Sequence, residues 1–216
     1  MSLNRLAVLA VSVVVLMGSG FAQKGEFSGT AEKNEFSGTI GRTFVSTQSI
    51  VGAQFFNPNV NFGDGLSFAL DYSRLFMQRS AFELSWELPL AVSPDTDLNS
   101  GTNLVPSSYK AFFITPSARL NLLPDAAVSP WVSFGGGYGF FKESGHAVFF
   151  GPNTGPTHNS TGVIQFGTGL DVWPWEKWGL RLEARDFYSG TPDLNVNTGR
   201  SRQHNYYVGG GFIRRF

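Results

Sequence analysis

The sequence predicts an all-β protein, an eight-stranded antiparallel transmembrane β-barrel with short turns at one end and four long loops at the other. Three observations predict it. Apolar and polar residues alternate with a period of two along most of the chain, which is the periodicity of a strand and not of a helix. The 216 residues include 21 Phe, 5 Trp, 6 Tyr and 26 Gly, yet no stretch after residue 22 approaches the about 18 apolar residues of a spanning helix. The connectors alternate between short and long, the pattern of barrels that cross a bilayer.

Taken in order, the chain opens with the basic Arg5, an apolar run over residues 6–17 and the small residues of GSGFA. This is the layout of a secretory signal peptide cut after Ala22. Residues 1–22 are therefore read as the signal peptide, 23–34 as a periplasmic lead segment and 35–216 as the barrel. The pentapeptide EFSGT occurs at 26–30 and again at 35–39; two copies do not make a solenoid, and the second opens the first strand. With no cysteine, disulfides, thiolate metal sites and thiol catalysis are excluded. The charges balance at 16 basic and 16 acidic residues, so nothing points to nucleic acid.

Eight alternating segments follow, at about 35–46, 64–76, 79–92, 108–122, 130–142, 161–173, 178–189 and 204–216. In LSFALDYSRLF, Leu66, Phe68, Leu70, Tyr72 and Phe76 share one face, against Ser67, Ala69, Asp71 and Ser73. FELSWELPL and GLRLEARDFY alternate in the same way. Short connectors are expected near 77–78, 123–129 and 174–177, and long ones near 47–63, 93–107, 143–160 and 190–203.

The faces decide between a soluble barrel or sandwich and a membrane barrel. One face carries Asp71, Glu83, Glu87, Arg119, Asp171, Arg181, Glu183, Arg185 and Arg215, and the other carries the large apolar residues. An eight-stranded lumen is just wide enough for side chains and cannot hold every Phe, Trp and Leu. The ionised face must therefore look inward, which requires Phe68, Trp86 and Leu182 to lie outside. Near-balanced lumen charges are expected to pair and plug the barrel, because unpaired buried charge is costly. The alternative is a narrow gated path in which Arg181 or Arg185 exchanges partners among Glu83, Glu87 and Glu183. Gly135, Gly137, Gly139, Gly167, Gly169, Gly209 and Gly211 fall on the inner side and make room for long side chains. Trp131, Trp173, Trp175 and Trp178 fall at the short-turn end and are expected to form an aromatic girdle, with Tyr109, Tyr188 and Tyr206 at the opposite rim.

The last strand places Tyr206, Val208, Gly210, Phe212 and the terminal Phe216 on one face. This resembles the C-terminal signal that the outer-membrane insertion machinery recognises. Arg214 departs from that pattern, but at the interface an outward Arg costs only about 0–1 kcal/mol. With SPWVSFGGGYGFF, QFGTGLDV, RLEARDFYSG and RQHNYYVGGGF, the chain resembles the small eight-stranded OmpA/OmpW-like outer-membrane β-barrel proteins. The resemblance implies an exported monomer in a Gram-negative-type outer membrane, with periplasmic turns and extracellular loops. Its expected partners are membrane lipid and the insertion machinery. No peptidoglycan-binding domain follows the barrel, so a cell-wall tether is not expected. The leading function is structural or surface-interacting; the alternatives are a porin-like low-conductance pore or small-solute channel, and a lipid A 3-O-deacylase.

The deacylase reading rests on similarity to lipid A deacylases, barrels that use a His-x-Ser pair and a Glu facing lipid. His158 and Ser160 would be base and nucleophile and Glu143 the orienting carboxylate. The surrounding GPNTGPTHNSTG reads as loop, so the expectation is that the protein is not an enzyme. GGGYG lies within a strand and is not a nucleotide loop. His146, His158 and His204 sit in or beside different long loops, and Asp95/Asp97 and Asp186/Asp193 lack a calcium-loop pattern. Neither metal nor cofactor is expected.

Overall fold

Backbone pairing rather than local propensity defines this molecule, because each strand finds its hydrogen-bond partners on the next. The computed structural model describes residues 33–53 and 57–216; the expected signal peptide, the first EFSGT copy and nearly all of the lead segment lie outside them. The strands are β1 (Asn34–Val45), β2 (Gln48–Ser49), β3 (Asn59–Phe62), β4 (Gly65–Gln78), β5 (Phe82–Ser100), β6 (Ser108–Ile114), β7 (Ser117–Leu122), β8 (Val128–Glu143), β9 (His158–Val172), β10 (Trp178–Gly190) and β11 (Arg202–Arg215).

Every pairing is antiparallel. The ring runs β1–β4–β5–(β6, β7)–β8–β9–β10–β11 and returns to β1, where Glu35 to Val45 pair with Arg215 to Asn205. β6 and β7 form one stave, so eight staves close the barrel and leave no free edge. The terminal residue is docked: Phe216 N–H donates to Asn34 O (2.9 Å), and Asn34 N–H donates to Phe216 O (3.1 Å).

The broken stave has a local cause. Pro116 has no N–H to give a ladder. Its neighbours patch the gap, with Thr115 N–H donating to Pro89 O (3.2 Å) and Gly136 N–H to Pro116 O (3.2 Å).

Two expected loops contain strand: β2 and β3 lie within 47–63, and the start of the next long connector belongs to β5. Residues 93–100 read as loop, but β5 continues to Ser100 beyond the barrel wall, past a register shift between Ser93 and Thr96. The SPDTDLNS stretch has no apolar alternation to reveal a strand. Pairing with β3, which in turn pairs with β2, supplies its ladder.

The polarity is inverted relative to a soluble barrel. Phe68, Trp86 and Leu182 are 39%, 41% and 59% exposed, whereas Glu87 and Arg119 are fully buried within the lumen. On β8 the even-numbered residues face out and the odd ones face in, and this parity corrects the expected girdle. Trp131 occupies an odd position and is fully buried inside the barrel. Trp173 is buried too, with the Arg215 guanidinium 3.8 Å from its ring centroid. Trp175 and Trp178 stay exposed, and Trp178 carries Arg214 over its ring at 5.1 Å. Trp86 packs edge-on to Tyr72 on the outer surface, 5.4 Å between centroids. At the other rim Tyr109 is buried inside, while Tyr188 and Tyr206 flank the exposed His204.

Candidate functional site in the barrel lumen

The interior has two levels. Toward the short-turn end, Arg119, Arg181 and Arg185 project inward from β7 and β10 because they occupy alternate positions on inward-facing registers. All three guanidinium groups approach one carboxylate, Asp71 of β4, at 3.8, 3.0 and 3.5 Å. All three also lie over the Trp131 ring, at 6.0, 5.1 and 5.1 Å from its centroid. The arginine triad thus sits between carboxylates and an indole face, a cation–π arrangement made stronger by the exclusion of water.

Each arginine has further partners. Arg181 donates to Asp171 through Nε and Nη2, both 2.8 Å, and to Ser37 Oγ at 3.0 Å. Two parallel bonds to one carboxylate form the strongest geometry available to Arg. Arg185 donates to Glu183 through Nε and to Glu87 through Nη1, each at 2.8 Å. Glu183 also accepts from Thr39 Oγ1 at 2.5 Å. Arg119 pairs with Glu35, whose other oxygen accepts from Arg215 Nε at 2.7 Å. Trp131 Nε1–H donates to Asp171 at 3.3 Å.

The lumen residues expected from sequence therefore come together, with two revisions. Glu35, an unanticipated sixth acidic member, faces inward two residues before Ser37 on β1 and anchors Arg119 and Arg215. Glu83 faces inward, but among the described residues no arginine lies within ion-pair distance of it. It is therefore not one of the carboxylates that hold Arg181 or Arg185.

The glycines on the inner wall make this packing possible. A Cβ on Gly169 would lie 2.5 and 2.7 Å from atoms of the Trp131 ring and would also strike the Leu182 carbonyl. Gly169→Ala is expected to destabilise the folded barrel by about 1–3 kcal/mol. Urea unfolding in phospholipid vesicles checks this, and an unchanged midpoint would show that the indole has room to move.

Toward the loop end the filling combines an aromatic layer with buried hydrogen-bonded polar side chains, Thr43, Ser67 and Ser93 in one group and Gln48, Gln203 and Asn205 in another. Phe113 and Phe187 stack with centroids 4.8 Å apart and planes 4° apart, and Phe141 packs edge-on to both Phe113 and Tyr109. Above them Val60, Leu98, Val105 and Leu194, from β3, the β5 extension and two loops, are buried as a lid. Sequence reasoning missed this level, although Phe187 continues the inward register of Arg181, Glu183 and Arg185.

The candidate hydrolytic residues are not assembled. His158 and Ser160 are exposed on the outer wall of β9, whereas Glu143 is buried on the inner face of β8 and accepts from Asp193 N–H at 2.8 Å. The wall of the barrel separates them. His158 Nδ1 instead meets Thr157 Oγ1 at 3.0 Å. The histidines are dispersed: His204 pairs with Asp186 at 2.6 Å on the outer wall, and His146 is exposed in the β8–β9 connector. Among the described residues no group of three His, Cys, Asp or Glu side chains could hold a metal ion.

A closed antiparallel ring with an apolar exterior and an ionised lumen defines a transmembrane β-barrel. No family model and no curated protein matches the sequence. Among solved structures, the chain is similar to the outer membrane protein OprG from Pseudomonas aeruginosa, with a TM-score of 0.53 at 12% identity, over 88% of this chain and 99% of that one. It is also similar to the neisserial surface protein A, NspA, with a TM-score of 0.52 at 14% identity, over 87% and 100%. The fold is that of the small eight-stranded outer-membrane barrels.

Proposed function

We propose that the protein is a closed outer-membrane barrel that conducts nothing through its lumen and acts through the surface at its loop end. The observation that carries this reading is the two-level filling, with a fully buried arginine–carboxylate–indole cluster below and an aromatic layer under a lid above. A hydrated path would have to cross both.

The loop end offers a contact surface. Phe149 and Phe150, in the β8–β9 connector, are 60% and 76% exposed. They are held in place by Asn103, whose Oδ1 accepts from both backbone N–H groups (2.9 and 3.1 Å) while its Nδ2 donates to Phe150 O (2.8 Å). Exposed aromatics on an ordered loop of a rigid scaffold suit recognition of a surface or ligand.

Planar-bilayer recording of the folded protein tests the closed lumen. Silence at all voltages is expected. Discrete current steps that change with Glu87→Ala or Arg185→Ala would replace this reading with that of a gated pore.

A further inference from the structure

On the outer wall at the loop end, Lys110 of β6, Lys142 of β8 and His158 of β9 stand side by side. The register places Lys110 opposite Lys142, and Lys142 opposite His158. All three are exposed and face away from the lumen. Like charges directly opposite one another destabilise a sheet, and among the described residues neither lysine has an ion pair to offset this. One step toward the membrane centre on the same face, Phe112 and Phe140 pair with centroids 6.2 Å apart, and Ser160 lies opposite Phe140. The cations, the hydroxyl and the two rings line a single open groove of about 520 Å³. Positive charge at headgroup depth above an apolar slot in the bilayer is complementary to an anionic head joined to acyl chains.

We propose that this groove binds one phosphate-bearing lipid of the surrounding leaflet. Lys110 and Lys142 hold the phosphate between them, His158 and Ser160 offer further donors to the headgroup, and an acyl chain lies over Phe112 and Phe140. The bound anion removes the repulsion between the two lysines. Binding of this kind is independent of whether the lumen conducts.

The test is native mass spectrometry of the full folded chain in a neutral maltoside detergent. It is titrated with diphosphoryl lipid A, with the same lipid after removal of its phosphates, and with inorganic phosphate. A one-to-one adduct with the phosphorylated lipid is expected. The double variant Lys110→Gln/Lys142→Gln should weaken it by about 25-fold, from the usual contribution of each basic residue near an anionic headgroup. Lys110→Arg/Lys142→Arg should retain the adduct, and guards against a loss caused by misfolding. Equal binding of the dephosphorylated lipid would overturn the proposal, as would displacement of the lipid by millimolar inorganic phosphate. An equal loss in Arg74→Gln/Arg79→Gln, at the opposite rim, would overturn it as well.

Discussion

Arg181→Ala is expected to lower the unfolding free energy of the barrel in phospholipid vesicles by about 3–5 kcal/mol. The side chain is buried and donates to two carboxylates from different strands, Asp171 and Asp71, as well as to Ser37. Its removal strands Asp171 in a space closed to water, with only the Trp131 N–H left to it, while Asp71 keeps Arg119 and Arg185; the penalty for the stranded charge exceeds the loss of the hydrogen bonds themselves. Replacing Arg181 by Met together with Asp171 by Leu should cost much less than Arg181→Ala alone, because the stranded charge goes with its partner. Urea titration followed by tryptophan fluorescence measures both. A loss below about 1 kcal/mol for Arg181→Ala would mean that water reaches the cluster, and the closed lumen would be wrong.

Trp131→Ala is expected to cost about 3–5 kcal/mol, the range for deleting a large buried aromatic side chain. The indole is the floor on which three guanidinium groups rest, so its removal also loses their cation–π attraction. The same ring is the obstacle that a Cβ on Gly169 would strike. The two substitutions should therefore be non-additive: Gly169→Ala should cost less in the Trp131→Ala background than in the wild type. A double-mutant cycle reads this coupling directly, and additive effects would place the ring elsewhere.

Much of this arrangement was legible in the sequence because period-two alternation assigns every residue to a face once one is known. Alternation puts Asp71, Glu87, Arg119, Asp171, Arg181, Glu183 and Arg185 on the inner face, and all are buried there. Trp131 departs from the expected girdle because parity, which it shares with the inward Ser129 and Ser133, and not nearness to a turn sets the face of a strand residue. The same parity separates Glu143 from His158 and Ser160. Glu35 is harder to place because it is the first residue of the repeated pentapeptide, at the very start of β1, with no alternating residues before it to show a face.

The aromatic layer of the upper level is less accessible to sequence reasoning. Expecting a polar lumen throughout hid the inward aromatics, since Phe113 and Phe141 look like lipid-facing residues until the register of β6 on β8 is known. The strand character of residues 93–100 depends on a partner, β3, that is distant in the chain. Pairing of that kind is a tertiary property and leaves no periodic trace in a polar stretch.

Sealing the cylinder joins strands from opposite ends of the described chain, with Asn34 and Phe216 separated by 182 positions. Until β11 docks on both of its neighbours, β1 and β10 each present a row of bare amide groups to hydrocarbon, where each unmatched group costs several kcal/mol. A seven-stave intermediate therefore has no comfortable place in the bilayer. Insertion and closure must proceed together, as one cooperative event, with the final stave as its keystone.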